Sequence, residues 1–141
     1  MTAGAAPAPA RRFRRARARH LELGRRGEAV AARLLRTLGL DILARNYHAR
    51  STEIDLVARD LDVLCFVEVK TRHRAGRFRP AAAVDAEKQR HLIRAAAQYL
   101  REIGRPPVVR RFDIVEVILA GRRLREVRYW PAAFSGEDGG R

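Results

Sequence analysis

The sequence predicts an α/β domain in which helices cover a mixed sheet, with elements in the order α-β-β-β-α-β-β. Three observations predict it. Residues 24–38 and 84–103 repeat apolar side chains at helical spacing. Five shorter stretches between and after them have strand composition. Gly, Pro or Asp punctuates the junctions. Helices and strands in this order bury their apolar surfaces by layering helices on a sheet.

Each element has its own signal. In residues 24–38, Ala31, Leu34, Leu35 and Leu38 form an apolar stripe, and Gly39 is a natural stop. Residues 42–47 read as a first strand. Residues 53–59 and 63–71 read as two more, turned at Asp60-Leu61-Asp62 into an antiparallel hairpin. A basic loop, residues 72–80, contains Gly76. Leu92, Ala96, Tyr99 and Ile103 give the second helix its buried face, and Gly104 with Pro106-Pro107 ends it. Residues 112–119 and 124–129, parted at Gly121, complete the sheet. The folded part is therefore expected over residues 21–131. Residues 1–20, rich in Ala, Pro and Arg, and residues 132–141 are expected to be flexible tails.

A length of 141 residues with 47% apolar side chains suits one domain with a modest core. The formal charge of +14 favours polyanionic partners without specifying a fold. Residues 1–26 hold eight arginines against Glu22, a net +7, and the rest of the chain carries the other +7. The basic tail reads as a solubilising segment, a backbone-binding arm or a targeting segment, and composition does not choose among them. The chain has 28 arginines but only Lys70 and Lys88 as lysines. Either coding composition made arginine the generic base, or these two positions need a compact ammonium rather than a planar fork. A single cysteine, Cys65, excludes an internal disulfide. No apolar run approaches the ~20 residues of a membrane span. The small apolar residues at the start precede the arginines, the reverse of a secretory signal, so a cytoplasmic location is expected.

The chemistry concentrates in the hairpin. Alternation places Glu53 with Asp55 on one face of a strand and Glu68 with Lys70 on one face of the next. A turn at Leu61-Asp62 sets Asp55 opposite Glu68, where like charges are unfavourable. Glu68 and Lys70 also interrupt an otherwise apolar run, Leu64-Cys65-Phe66-Val67 and Val69, and such a strand excludes charges that are neither paired nor bound. Lys70 neutralising the two carboxylates on a wet face is the plain account. A cation between them explains more: carboxylate oxygens suit Mg²⁺ or Mn²⁺, and two carboxylates with a lysine form a kit for phosphodiester hydrolysis. Glu28, on the first helix beside Gly27, is either a third oxygen ligand or a first-turn glutamate stabilised by the helix N-terminus.

The set Gly24-x-x-Gly27-Glu28-x-x-Ala31, Arg45-Asn46, Glu53-Ile54-Asp55, Phe66-Val67-Glu68-Val69-Lys70-Thr71-Arg72, Lys88 and Arg111-Phe112-Asp113 resembles the bacterial YraN-like family. That family is similar to the PD-(D/E)xK nuclease superfamily and to archaeal Holliday-junction resolvases. The resemblance covers about residues 22 to 130. It implies a restriction-endonuclease-like core, with Asp55 and Glu68 as metal ligands and Lys70 as the catalytic lysine. Glu28 matches the helical carboxylate of the resolvase-like branch, and Lys88 a basic residue facing the site from the next helix. Thr52 stands where the family usually has Gly, which adds a side chain near the site without removing a ligand. Relatives that cut junctions are dimers, so a homodimer is an expectation of the resemblance alone.

Arg72, Arg74, Arg77 and Arg79 follow the proposed catalytic strand and suit phosphate contacts that give register without base specificity, or a solvated surface. A structural salt bridge is the simpler account of Arg111 and Asp113. The four histidines lack cysteine partners at zinc spacing, Cys65 reads as core, and no P-loop or dinucleotide motif is present. The expected function is a metal-dependent endonuclease acting on DNA, including branched or junction forms. The alternatives are a non-catalytic nucleic-acid-binding protein on the same fold and a small basic RNA-associated protein.

Overall fold

The computed structural model of the chain describes residues 10–73 and 84–136, with the backbone alone for residues 10–21. Among them, seven elements follow one another: α1 (Ala10–Thr37), β1 (Asp41–His48), β2 (Glu53–Asp60), β3 (Val63–His73), α2 (Ala86–Glu102), β4 (Val109–Ala120) and β5 (Arg123–Phe134). The strands form one mixed sheet in the order β1-β2-β3-β4-β5. Neighbours are antiparallel except β3 and β4. Parallel strands need a crossover, and α2 supplies it. The predicted order of elements is the observed one.

Alternation along β3 decides which helix covers which face. Cys65 and Val67 pack with Ala31, Ala32 and Leu35 of α1, whereas Leu64 and Phe66 pack with Leu92, Ala95 and Ala96 of α2. The central strand is buried on both faces, which is why its sequence is continuously apolar. In the α2 layer Phe112 lies between Phe66 and Phe134, with ring centroids 5.7 and 5.0 Å away. Complete burial of a side chain of this size contributes about 1.5–3 kcal/mol.

A charged network closes the lower end of the sheet. Asp113 is fully buried, and all its acceptor capacity is used. Its Oδ1 accepts from Arg111 Nε and the Ala132 amide, each at 2.9 Å. Its Oδ2 accepts from the Tyr129 hydroxyl at 2.6 Å and from Arg111 at 3.1 Å. Arg111 also reaches Asp60 at 3.2 Å. The Arg111–Asp113 pair is thus a structural ion pair, and its hydrogen bonds offset the cost of burying the charge.

Two boundaries differ from expectation. The first helix runs back to Ala10, so residues 10–20 are helical where a loose tail was expected. Ala and Arg are both strong helix formers, and the like-charge block concealed that propensity. At the other end, β5 continues past Pro131 to Phe134. An edge strand tolerates proline because its outer N–H groups need no ladder partner. Phe134 also packs on Phe112, which anchors the extension. No helix among the described residues is long and apolar enough to cross a membrane.

The approach of α1 to β3 is set at one residue. A Cβ at Gly27 would collide with Oγ1 of Thr71. Gly27→Ala is expected to destabilise the fold by about 1–3 kcal/mol in urea unfolding despite alanine's better helix propensity. Thr71→Ala in the same chain should recover most of the loss, because it removes the colliding hydroxyl. Equal losses in the single and double variants would contradict this contact.

Candidate functional site

The site lies where the sheet splits. Pairing of β2 with β3 runs from Asp60↔Val63 to Leu56↔Val67 and stops. Yet β2 continues beside β1 to His48↔Glu53, and β3 continues beside β4 to His73↔Leu119. The two strands therefore part after Leu56 and Val67, with Asp55 and Glu68 as the first residues beyond the split. The predicted hairpin turn is observed, and it sets these two carboxylates level. Side-chain alternation slips at the same place. Val57 and Ile54 both belong to the α2 layer, and Leu56 between them to the α1 layer. The strict alternation that paired Glu53 with Asp55 thus breaks here, although Glu53 still acts electrostatically on Asp55 and Glu28.

Asp55 bridges the split in place of a ladder bond. Its Oδ2 accepts from the Val69 amide at 2.8 Å, which leaves Oδ1 for another partner. Burial, then the negative charge of Glu68, push its carboxyl up to about 7, against the Val69 hydrogen bond, with smaller upward contributions from Glu28 and Glu53. Glu68 is 6% exposed. Its Oε1 lies 3.4 Å from Lys70 Nζ, while its Oε2 is buried without a hydrogen-bond partner among the described residues. An orphaned buried carboxylate oxygen beside a second carboxylate is costly unless a cation or proton joins it.

A family profile described as "Uncharacterised protein family UPF0102" matches residues 27–117. A UPF0102 protein of Chlorobaculum parvum is 44% identical over 123 residues, covering 84% of this chain and 95% of that protein. One from Rhodococcus jostii is 44% identical over 117 residues, covering 83% and 99%. Another, from Symbiobacterium thermophilum, is 50% identical over 95 residues, covering 67% and 80%.

The chain belongs to the UPF0102 family.

The matched stretch opens at Gly27 and closes just after Glu116, so it contains Glu28, Glu53, Asp55, Glu68 and Glu116 and leaves out β5. Glu28 of the UPF0102 chain lies near Glu53 and Glu68 and takes a hydrogen bond from the Asn46 side chain. Burial is the main cause of its raised carboxyl pKa. Lys88, in the first turn of α2, donates from Nζ to Thr52 Oγ1 at 2.9 Å. Thr52 therefore holds the second lysine, just before Glu53-Ile54-Asp55.

Arg72, expected in a basic loop, is instead a residue of β3, because the parallel ladder with β4 runs on to His73. Its charge acts on Glu116. Arg74, Arg77 and Arg79 lie outside the described residues.

Two residues acquire roles that the sequence reading did not give them. Asn46 stands level with Asp55 between the pairs Arg45↔Leu56 and Tyr47↔Ile54, and has φ of 49°. Asparagine tolerates this left-handed backbone better than most residues. Its signal was present in the Arg45-Asn46 motif but carried no chemistry until β1 was set beside the split. Glu116 stands level with Lys70 across the parallel ladder and is fully buried, and among the described residues neither of its carboxylate oxygens has a hydrogen-bond partner. Only the strand register reveals it.

These residues can be tested for a metal ion. Among the described residues, no three His, Cys, Asp or Glu side chains are arranged to enclose one. Mg²⁺ does not require such a cage, since it keeps several waters and takes one or two carboxylates with substrate phosphate. Asp55 Oδ1 and the orphaned Glu68 Oε2 fit that requirement in donor chemistry and number.

The raised carboxyl pKa of Asp55 has a consequence for stability. Its ordinary value is 3.8 and its folded value about 7, so the folded chain holds this proton more tightly than the unfolded chain. The stabilisation is complete below about pH 4 and is lost as pH rises through 7. Asp55→Asn, which mimics the protonated form and keeps an acceptor for Val69, should match the wild type near pH 4. At pH 8 in EDTA it should be more stable by roughly 1–3 kcal/mol. Urea unfolding at the two pH values checks this, and a difference independent of pH would contradict it.

Proposed function

We propose that this UPF0102 protein is a metal-dependent nuclease of the PD-(D/E)xK type that hydrolyses phosphodiester bonds in DNA. The observation that carries the reading is the pair Asp55 and Glu68 at the split between β2 and β3, with Lys70 Nζ 3.4 Å from Glu68. The net charge of +14 supports a polyanionic substrate. Asp55 and Glu68 would hold Mg²⁺ or Mn²⁺, with Glu28 as a third carboxylate nearby. When bound, such an ion neutralises phosphate charge and makes water a stronger nucleophile.

The protein's own groups do the rest. The Val69 amide fixes the orientation of Asp55. Lys70, one-third exposed, keeps its ammonium at the mouth of the split, where it stabilises negative charge developing on a phosphate. Asn46 holds Glu28 beside the carboxylates. The bond from Lys88 to Thr52 ties α2 to the strand that carries Asp55, and Ser51 and His91 reinforce it through two hydrogen bonds of 2.9 Å.

One observation favours a second reading. Because no three ligands are gathered among the described residues, the same surface is compatible with a protein that binds nucleic acid without cutting it. Cleavage of labelled linear, flapped and four-way-junction DNA, with an RNA duplex alongside, separates the two. With Mg²⁺ or Mn²⁺ the wild type should cut at least one DNA form, and EDTA should stop it. Asp55→Ala and Lys70→Ala should each reduce the rate by about a hundredfold or more, as loss of a ligand or of a charge-stabilising group does. Tight binding without cutting under every metal condition would remove the nuclease reading and leave the binding protein. Preference for RNA would move the substrate class.

A further inference from the structure

The strand that carries Glu68 and Lys70 ends at His73, beside a cavity of about 510 Å³. Three elements converge on it. Among the described residues, α1 contributes Glu22, Leu23 and Arg26, β3 contributes His73, and the turn between β4 and β5 contributes Gly121 and Arg122. That turn is only Gly121-Arg122, since Ala120 pairs with Arg123, and Gly121 has φ of 61°. Tight hairpins need this conformation, and it fixes where Arg122 leaves the sheet. The cavity is therefore built from two rigid elements and a turn of fixed geometry.

Its charge suits an anion. Arg26 and Arg122 are permanent cations. Among the described residues neither meets a carboxylate within 4 Å, whereas Arg59, Arg111 and Arg128 each do. Glu22 is the one acid in the described lining, so two cations and an imidazole face one carboxylate. Guanidinium groups bind phosphate oxygens through paired, directional hydrogen bonds. Alternation along β3 puts His73 on the α1 face with the cavity and Lys70 on the α2 face, so the cavity opens on the other side of the sheet from Lys70.

We infer that the cavity between α1, the end of β3 and the β4–β5 turn anchors a backbone phosphate of the bound nucleic acid, away from the cleavage site at Lys70. The inference rests on the proposed function for the identity of the polyanion, and it adds a second contact with its backbone. Arg26 and Arg122 hold the anchored phosphate, and Glu22 limits how tightly it is held. The anchor is blind to base sequence, as backbone contacts are.

Binding without chemistry tests it. The full chain is titrated against a fluorescein-labelled 20-base-pair DNA duplex in EDTA, by anisotropy, across a salt series. Arg26→Ala/Arg122→Ala should weaken binding about tenfold and reduce the salt slope by about one phosphate's worth. Arg101→Ala/Arg105→Ala, at the opposite end of the sheet, should change affinity less than about twofold. Glu22→Gln should tighten binding about two- to threefold, a gain that misfolding does not produce. Equal losses in the two double variants would overturn the anchor. So would unchanged binding in the first of them, or no duplex binding by the wild type. The same proteins incubated with Mg²⁺ keep the two ideas apart. If the wild type binds as expected but never cuts, the nuclease reading fails and the anchor stands. If it cuts, and the Arg26/Arg122 variant binds and cuts as the wild type does, the anchor alone fails.

Discussion

Two carboxylates held next to each other inside a sheet are the constraint on which the rest of this fold turns. Asp55 and Glu68 occupy the first positions beyond the last ladder pair of β2 and β3. A continuous ladder there would press like charges together with nothing between them. The split relieves part of that repulsion, and the Val69 amide replaces the missing ladder bond with one to Asp55. Gly27 allows α1 to approach β3 closely and brings Glu28 alongside. Asn46 adopts a left-handed backbone to meet it. Each of these features is unfavourable or unusual alone, and together they serve one arrangement.

The opposite end of the sheet shows the contrast. Asp113 is as deeply buried as any residue in the protein, yet each of its oxygens accepts two hydrogen bonds. Among the described residues, Glu68 Oε2 and both oxygens of Glu116 are buried without hydrogen-bond partners. A buried carboxylate satisfied by arginine, tyrosine and backbone is a structural device. One left unsatisfied next to a lysine has no such structural compensation. This difference, more than the number of acidic residues, separates the motif Arg111-Phe112-Asp113 from Glu68-Val69-Lys70.

Much of this was legible in the sequence, for physical reasons that can be named. The Leu61-Asp62 turn fixed the register that sets Asp55 level with Glu68, because a hairpin turn determines every pair behind it. The continuous apolar run of β3 announced a strand covered on both faces. The ends of the fold were less legible. Residues 10–20 combine helix-forming side chains with a repelling charge block, and the charge masks the propensity. Pro131 looked like a stop because nothing in the sequence shows that β5 is an edge strand. Asn46 and Glu116 were hidden for a related reason. Their significance depends on which residue lies across the ladder, and no local pattern carries that information.

The claim that most directly governs this account is that Asp55 and Glu68 form a divalent-cation site. Isothermal titration of Mn²⁺ into the metal-free full chain at neutral pH, without nucleic acid, measures it. The account predicts saturable binding at one site, abolished in Glu68→Gln and strongly weakened in Asp55→Asn, with both variants folded. No saturable binding by the wild type, or binding that survives both substitutions, would contradict it.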